Sequence, residues 1–193
     1  MPDPFAGDHF VIRQQVFTFL HRKFHVYGPN GELLLFSKMR GFKLREDIRL
    51  YADESMSTEL LSIQARSILD FSTAYDVVDA QGSRLGVLRR KGIMSTFVRD
   101  SWEILDGREQ LLGTITEDST LKALVRRFID MASMLMPQSF HVDIAGRRAA
   151  TFKQNFNPFV RKLDVTFESD SPLNHKLGLA AAVLNMAIEG KQD

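Results

Sequence analysis

The sequence predicts a mainly β protein, a closed antiparallel barrel of about twelve strands around a central hydrophobic C-terminal helix, with one amphipathic helix on the outside. Three observations lead to this fold class. A hairpin pattern recurs along the chain, one run near the C-terminus is apolar on every side, and one segment has the periodicity of an amphipathic helix. The apolar face of each strand must be buried against other residues, and the apolar run must be surrounded by protein. A closed barrel with a helix inside it satisfies both requirements.

Four segments share one hairpin pattern: an aromatic residue, Val or Ile two residues later, a turn that contains glycine, and a second apolar segment. The first arms with their turns lie at 24–31, 75–82, 102–107 and 140–146, and the second arms at 32–36, 84–89, 110–116 and 147–152. Further strands are predicted at 47–53, 61–65, 10–15, 17–20 and 163–167. Together these segments bring the prediction to about twelve strands.

The run Leu173–Ile188 is predicted to be the helix inside the barrel. From Leu177 onward Asn185 is its one polar side chain, so a helix here is apolar all round and must be enclosed. The run is shorter than the ~20 residues that cross a bilayer, and its glycine and alanine suit a confined space, which favours burial in protein over a membrane anchor. The expected boundaries are Ser171 as the N-cap, Pro172 at the first helical position and Gly190 at the stop.

Residues 121–136 repeat apolar side chains at helical spacing up to Pro137, which predicts the amphipathic helix on the outside of the sheet. The chain has no low-complexity tract, long linker or block of like charge. Residues 1–193 are therefore predicted to form a single domain.

The 193 residues have a formal net charge of +1, with 44% hydrophobic and 25% charged residues. This balance is typical of a soluble globular domain and gives no field strong enough to indicate nucleic acid as a partner. The absence of cysteine excludes disulfides and thiolate chemistry and fits a reducing interior. Residues 1–8 have neither the basic nor the apolar region of a secretory signal, so a cytoplasmic location is expected.

Five motifs carry a family resemblance: Leu88–Gly92, Asp100–Asp106, Thr151–Phe159, Leu177–Ala182 and Ala187–Gly190. They resemble motifs of the LURP-one-related proteins, which are relatives of the Tubby C-terminal domain and of the phospholipid scramblases. The resemblance covers nearly the whole chain and implies a twelve-stranded barrel around a central hydrophobic helix. Tubby domains bind phosphoinositides through basic residues of the barrel, scramblases are tied to membranes and calcium, and many LURP-one-related members have no assigned activity.

The resemblance does not carry over individual site residues. The lipid-binding residues of Tubby have no one-to-one match in this sequence, and no calcium loop of the Asp-x-Asp-x-Asp-Gly type occurs. The resemblance therefore implies a membrane-lipid function at the level of the superfamily only.

Enzyme signatures are absent from the sequence: it has no G-x-S-x-G, H-E-x-x-H, Walker A or G-x-G-x-x-G pattern. His21 and His25 stand four apart, but His25 falls in a predicted strand, so a metal site that needs a helix is not expected. The acidic pairs Glu46/Asp47, Asp53/Glu54 and Glu117/Asp118 are interpreted as solvated turn residues. We therefore assign no catalytic residue, no cofactor and no metal, and an enzyme with a pocket at a barrel mouth remains an alternative.

Basic residues supply the candidate site. The groups are Arg22/Lys23, Lys38/Arg40/Lys43/Arg45, Arg89/Arg90/Lys91, Arg126/Arg127, Arg147/Arg148 and Arg161/Lys162. Because neighbours in a strand face opposite sides, one of Arg89 and Arg90 must lie near a barrel mouth or pair with an acid. The predicted lipid- or anion-binding residues are Arg89, Arg90, Lys91, Lys38, Arg40, Lys43 and Arg45.

The predicted function is a non-enzymatic binding module for membrane phosphoinositides or other anionic lipids, which would place the protein in the cytoplasm or at the periphery of a membrane. A second hypothesis is a protein-interaction or structural scaffold without lipid affinity. Neither the partner nor the oligomeric state follows from the sequence.

Overall fold

The computed structural model describes residues 3–15, 21–40, 47–66, 74–90, 101–118, 138–155 and 160–189. Within these residues the chain forms twelve strands and one helix, α1 (His175–Glu189). The strands are β1 (His9–Gln15), β2 (His21–Tyr27), β3 (Leu33–Arg40), β4 (Ile48–Tyr51), β5 (Glu59–Ala65), β6 (Ala74–Asp79), β7 (Arg84–Arg90), β8 (Ser101–Asp106), β9 (Leu111–Glu117), β10 (Ser139–Ile144), β11 (Arg147–Asn155) and β12 (Val160–Phe167). The predicted outer helix at 121–136, the predicted strand at 17–20 and the predicted stop at Gly190 lie outside the described residues.

The strands form a closed antiparallel barrel in which each pairs with its neighbours in sequence. All four predicted hairpins are confirmed, as β2–β3, β6–β7, β8–β9 and β10–β11, and β4–β5 forms a fifth. Closure comes from the first and last strands, which pair along their length from His9 opposite Thr166 to Gln15 opposite Val160. The barrel therefore has no exposed sheet edge along its described strands.

The two ends of the barrel differ in how the strands are connected. Five short turns between successive strands lie at one end, which we call the turn end. At the opposite end the odd-numbered strands finish and the even-numbered strands begin, and we call it the exit end because α1 finishes there. Gly86, near the start of β7, lies against Leu177 in the first turn of α1, whereas Arg22, near the start of β2, contacts the carbonyl of Ala187. The helix therefore runs along the barrel from the turn end to the exit end.

The predicted central helix is confirmed. Every residue from Leu177 to Ala187 is buried, and the large side chains Leu177, Leu179 and Val183 are at most 1% exposed. Alternate residues of the strands, such as Phe10, Ile12 and Phe24, face inward and complete a single apolar core with the helix. The apolar residues stabilise the fold mainly through close packing between the helix and the barrel strands.

The start of α1 differs from the prediction. Asn174, rather than Ser171, is the N-cap, because its Oδ1 accepts hydrogen bonds from the backbone N–H groups of Lys176 at 3.0 Å and Leu177 at 3.3 Å. The Ser171 hydroxyl instead accepts from the N–H of Leu173, and Pro172 precedes the helix. Leu173, which is 3% exposed, lies in the core just before the first turn of the helix.

α1 has 15 residues, and no helix in the described ranges has both the length and the hydrophobicity of a membrane span.

Candidate functional site

The structure separates Arg89 and Arg90, as strand alternation predicts. Arg89 faces outward opposite Glu103 on β8, and its Nε donates to Glu103 Oε2 at 2.8 Å. Arg90 lies opposite Trp102, whose side chain is in the core, so Arg90 faces the inside of the barrel at the exit end. The outward charge at this position is therefore balanced by an acid, and the two arginines cannot serve one surface.

Lys38 is the one residue of the remaining predicted set whose side chain is described, and it is exposed on the outer face of β3. It is separated from Arg89 by β4, β5 and β6. Arg40 ends β3 at the exit end, but its side chain, like Lys43, Arg45 and Lys91 as a whole, lies outside the described part of the structure. The predicted residues therefore do not meet in one described site.

The pairing of β12, β1, β2 and β3 brings Lys38 together with three cations that were not predicted as site residues. Arg13 on β1 lies directly opposite Lys162 on β12, and Lys23 on β2 lies directly opposite Lys38 on β3. Arg13 is also opposite His25, which makes Lys23 its diagonal neighbour across β1 and β2. We call Arg13, Lys23, Lys38 and Lys162 the basic stripe, which crosses the outer face of four adjacent strands towards the exit end.

The basic stripe holds two pairs of like charges in direct cross-strand register, an arrangement that destabilises a sheet. Within the described residues, Lys23, Lys38 and Lys162 have no acidic partner within 4.0 Å, and the Arg13 guanidinium lies 4.6 Å from the ring centroid of Tyr27. Asp164, two residues after Lys162, faces outward opposite Lys153. The stripe is therefore a concentration of positive charge in which, among the described residues, the three lysines have no ion-pair partner.

The same strands present cations on their inner face at the exit end. Arg22 precedes Lys23 and faces inward, where its Nη1 donates to the carbonyl oxygen of Ala187 at 3.0 Å. Arg161 precedes Lys162 and lies opposite Gln14, which is buried in the barrel. Burial and the neighbouring Arg161 guanidinium lower the pKa of Arg22. The dipeptides Arg22/Lys23 and Arg161/Lys162 therefore each supply one cation to the barrel mouth and one to the outer face.

Histidines and acids form local structural pairs in the described part of the chain. His25, on the outer face, is only 7% exposed, because its ring packs on Phe36 and its Nε2 contacts Glu54 Oε1 at 3.0 Å. The contact comes from the β4–β5 turn, which reaches back past β3. Asp53 accepts the N–H of Ser55, so the Asp53/Glu54 pair serves its own turn.

Asp118 and His141 make a second such contact. The Arg148 Nη1 donates to His141 Nδ1 at 2.6 Å, so His141 donates from Nε2 to Asp118 Oδ2 at 3.1 Å. Arg148 also donates to Asp143 at 2.9 Å, which holds this chain of side chains on the outer face of β10 and β11. Among the described residues no group of three or more His, Cys, Asp and Glu side chains could hold a metal ion.

A model of the LURP-one-related family matches residues 33–184. The chain belongs to the LURP-one-related family. The match confirms the resemblance that the sequence motifs indicated, and the closed barrel around α1 agrees with the Tubby-like fold that the resemblance implied. A search of curated proteins found no match.

The basic stripe of this LURP-one-related domain was not predicted as a site, although Lys38 was. Arg22/Lys23 and Arg161/Lys162 stand out as basic dipeptides in the sequence, but they are far apart along the chain. No local sequence pattern marks Arg13 as a candidate site residue. The pairing of β1 with β12 brings these residues together. The two strands lie near opposite ends of the sequence, so no local sequence pattern indicates that they pair.

Proposed function

We propose that the protein is a non-enzymatic binding module that attaches to anionic phospholipid headgroups, phosphoinositides among them, through the basic stripe. The observation that supports this is two pairs of like-charged cross-strand neighbours, Arg13 with Lys162 and Lys23 with Lys38, held on one outer face. The family membership is consistent with a binding domain of the Tubby type.

The physical reason is that like charges in register repel each other and lower the stability of the sheet. An anionic surface attracts the same charges, so their clustering favours binding to it. Each lysine or arginine near an anionic membrane contributes about 1 kcal/mol to binding. Four such cations on one face would give weak but measurable attachment. Because these charges are at the surface, the attraction falls as salt shortens the Debye length from about 10 Å at 0.1 M.

Co-sedimentation with vesicles tests the proposal. The wild-type protein should bind phosphatidylcholine vesicles that contain a phosphoinositide, and binding should fall with added salt. The substitutions Lys38→Glu and Lys162→Glu should each weaken vesicle binding by about fivefold or more, since each removes a contribution of about 1 kcal/mol and adds repulsion.

Two variants serve as matched comparisons. Arg108→Glu makes the same kind of change at an exposed residue of the β8–β9 turn, at the turn end, and should leave binding unchanged. Arg89→Glu removes a cation that Glu103 already balances, so a small effect is expected there. A wild-type protein that ignores anionic vesicles at low salt would rule the proposal out and favour a scaffold without lipid affinity. Equal losses for Lys38→Glu and Arg108→Glu would exclude the basic stripe as the site.

A further inference from the structure

The β4–β5 turn, residues 52–58, lies against the outer face of the barrel beside the basic stripe. Its Glu54 carboxylate is 3.0 Å from His25 Nε2, and His25 is directly opposite Arg13 of the stripe. Lys23 is two residues from His25 on the same face of β2. Residues related in these two ways have Cα atoms about 5–7 Å apart. The turn therefore lies within about one Debye length of the stripe, since that length is about 10 Å at 0.1 M salt.

The turn presents serine hydroxyl groups to solvent. Residues 53–58 are all exposed, and Ser55 Oγ donates to Ser57 Oγ at 2.9 Å. The N–H of Ala52 donates to the carbonyl of Thr58 at 3.0 Å, which closes the base of the turn. An exposed turn of this kind opens locally at small cost, so an enzyme can reach the Ser55 hydroxyl.

Acidic residues flank Ser55 in the sequence. Asp53 and Glu54 come directly before it, and Glu59 follows at the start of β5. An acidic segment is complementary to an enzyme groove that is lined by lysine and arginine. A serine in these surroundings is a suitable acceptor for a protein kinase with a basic substrate groove.

We propose that Ser55 is a phosphorylation site and that a phosphate there weakens the attachment of the basic stripe to anionic lipid. The second half of this inference rests on the proposed function. In the reaction the Ser55 oxygen bonds to the γ-phosphorus of a nucleoside triphosphate, and the bond from that phosphorus to the β–γ bridging oxygen breaks. Nucleoside diphosphate leaves, and the hydroxyl proton passes to a base of the kinase.

The size and position of the added charge explain the expected effect. A phosphoserine carries about 1.5–2 negative charges at pH 7, whereas the basic stripe has four cations. Asp53 and Glu54 repel a phosphate on the neighbouring serine, while the closest part of the stripe, Arg13 and Lys23, attracts it. The phosphate therefore offsets about half of the charge of the stripe and is itself repelled by an anionic surface. Release of a basic surface from lipid by phosphorylation is an electrostatic switch.

The first experiment tests the acceptor. The purified protein is incubated with ATP and a serine kinase that prefers acidic substrates, and the modified residue is located by mass spectrometry. We expect phosphate on Ser55, and Ser55→Ala should remove that signal. A folded protein that is not phosphorylated at Ser55, or that is modified at Ser57 or Thr58 instead, would overturn the assignment.

The second experiment tests the effect on lipid binding. Protein that carries a phosphate on Ser55, introduced as phosphoserine during translation, is compared with unmodified protein in co-sedimentation with phosphoinositide vesicles. Binding should be weaker by about tenfold or more. A phosphate on Ser83 is the matched control, because Ser83 is exposed in the β6–β7 turn and donates its N–H to Asp79 at 2.8 Å, away from the stripe. It should leave vesicle binding close to that of the unmodified protein.

The outcomes separate this inference from the proposed function. An unmodified protein that does not bind the vesicles would overturn the proposed function, and the switch with it. If the unmodified protein binds and a phosphate on Ser55 changes nothing, or a phosphate on Ser83 weakens binding equally, the switch alone is wrong.

Discussion

At the scale of single residues, the middle of α1 lies in the apolar core of the barrel. Ala181 is 2% exposed, and its neighbours Ala180 and Ala182 are fully buried. Ala181→Asp would place an unpaired carboxylate there, at a cost of several kcal/mol. Because domains of this kind are stable by only ~5–15 kcal/mol, we expect loss of the folded state, measured as loss of soluble protein and of the thermal transition in circular dichroism.

The same substitution at an exposed site provides the control for Ala181→Asp. Ala80 is exposed in the β6–β7 turn. Ala80→Asp should change the free energy of unfolding by no more than about 0.5 kcal/mol and should leave the Tm close to that of the wild type. A soluble Ala181→Asp protein with the wild-type Tm would mean that α1 is not part of the core.

Sequence reasoning at this scale succeeded where a side chain's environment follows from strand alternation. The opposite orientations of Arg89 and Arg90 follow from their adjacency in a strand. The helix start did not follow, because Ser171 and Asn174 are both good N-caps and Pro172 favoured the earlier one. Tertiary contacts accompany the later start: His175 stacks on Phe167 with ring centroids 4.1 Å apart and contacts the Phe5 carbonyl at 3.1 Å.

At the scale of secondary-structure elements, Gly86 allows α1 to lie against β7. A Cβ atom at this position would be 2.4 Å from the carbonyl oxygen of Leu105 and 2.8 Å from Leu177 Cδ2. Gly86→Ala must therefore displace the strand, the helix or both. We expect a loss of about 1–3 kcal/mol in the free energy of unfolding, measured by chemical denaturation.

Gly7→Ala is the matched substitution. A Cβ atom at Gly7 would meet Phe10 at 3.5 Å, which is an ordinary contact, so its stability should stay near that of the wild type. If Gly86→Ala is as stable as Gly7→Ala, α1 does not pack tightly against β7.

A network of ion pairs ties β5, β6, β7 and the β8–β9 turn together on the outer face. Asp76 accepts from Arg66 at 2.7 Å and lies 3.4 Å from Arg84, and Glu109 contacts both arginines at 2.9 and 3.1 Å. The Arg66 hydrogen bonds lower the pKa values of Asp76 and Glu109. Since the carboxylates are more acidic in the folded protein, their contribution is present above the unfolded pKa of about 4 and is lost as the pH falls through the lowered values.

Asp76→Asn tests this pH dependence. At neutral pH the variant should be less stable than the wild type by about 1 kcal/mol, which corresponds to about 2–4 °C in Tm for a chain of this size. The difference should shrink below about pH 4, where the wild-type carboxylate becomes protonated. Glu168→Gln, at an exposed position near the end of β12, should show neither effect. A difference in Tm that stays constant between pH 7 and acid conditions would contradict the role given to the network.

The strands and the helix were predictable at this scale because their signals are local. Each confirmed hairpin has its aromatic residue, its alternation and its glycine turn within about fifteen residues, and α1 is apolar from Leu177 to Ile188 apart from Asn185. The pairing of β1 with β12 has no such local signal, since its partners are separated by most of the chain. The position of Arg13 opposite Lys162 depends on that pairing, so no local sequence pattern indicated that half of the basic stripe.

At the scale of the whole molecule, the two ends of the barrel should differ in how they meet a membrane. The helix α1, which runs from the turn end to the exit end, is about 22 Å long. Lys23, Lys38 and Lys162 lie towards the exit end, whereas Asp79 and Asp106 lie at the turn end. Because an anionic surface attracts the first set and repels the second, the barrel should bind with its exit end towards the lipid.

Site-specific labels can measure this orientation, because the chain has no cysteine and one introduced cysteine is unique. Asn155→Cys places a polarity-sensitive dye directly opposite Lys162 at the exit end, and Gln81→Cys places it in the β6–β7 turn at the turn end. On addition of phosphoinositide vesicles, the fluorescence of the Asn155→Cys label should rise and that of the Gln81→Cys label should stay constant, since a dye brightens where water is excluded. Equal or reversed responses would contradict attachment through the basic stripe.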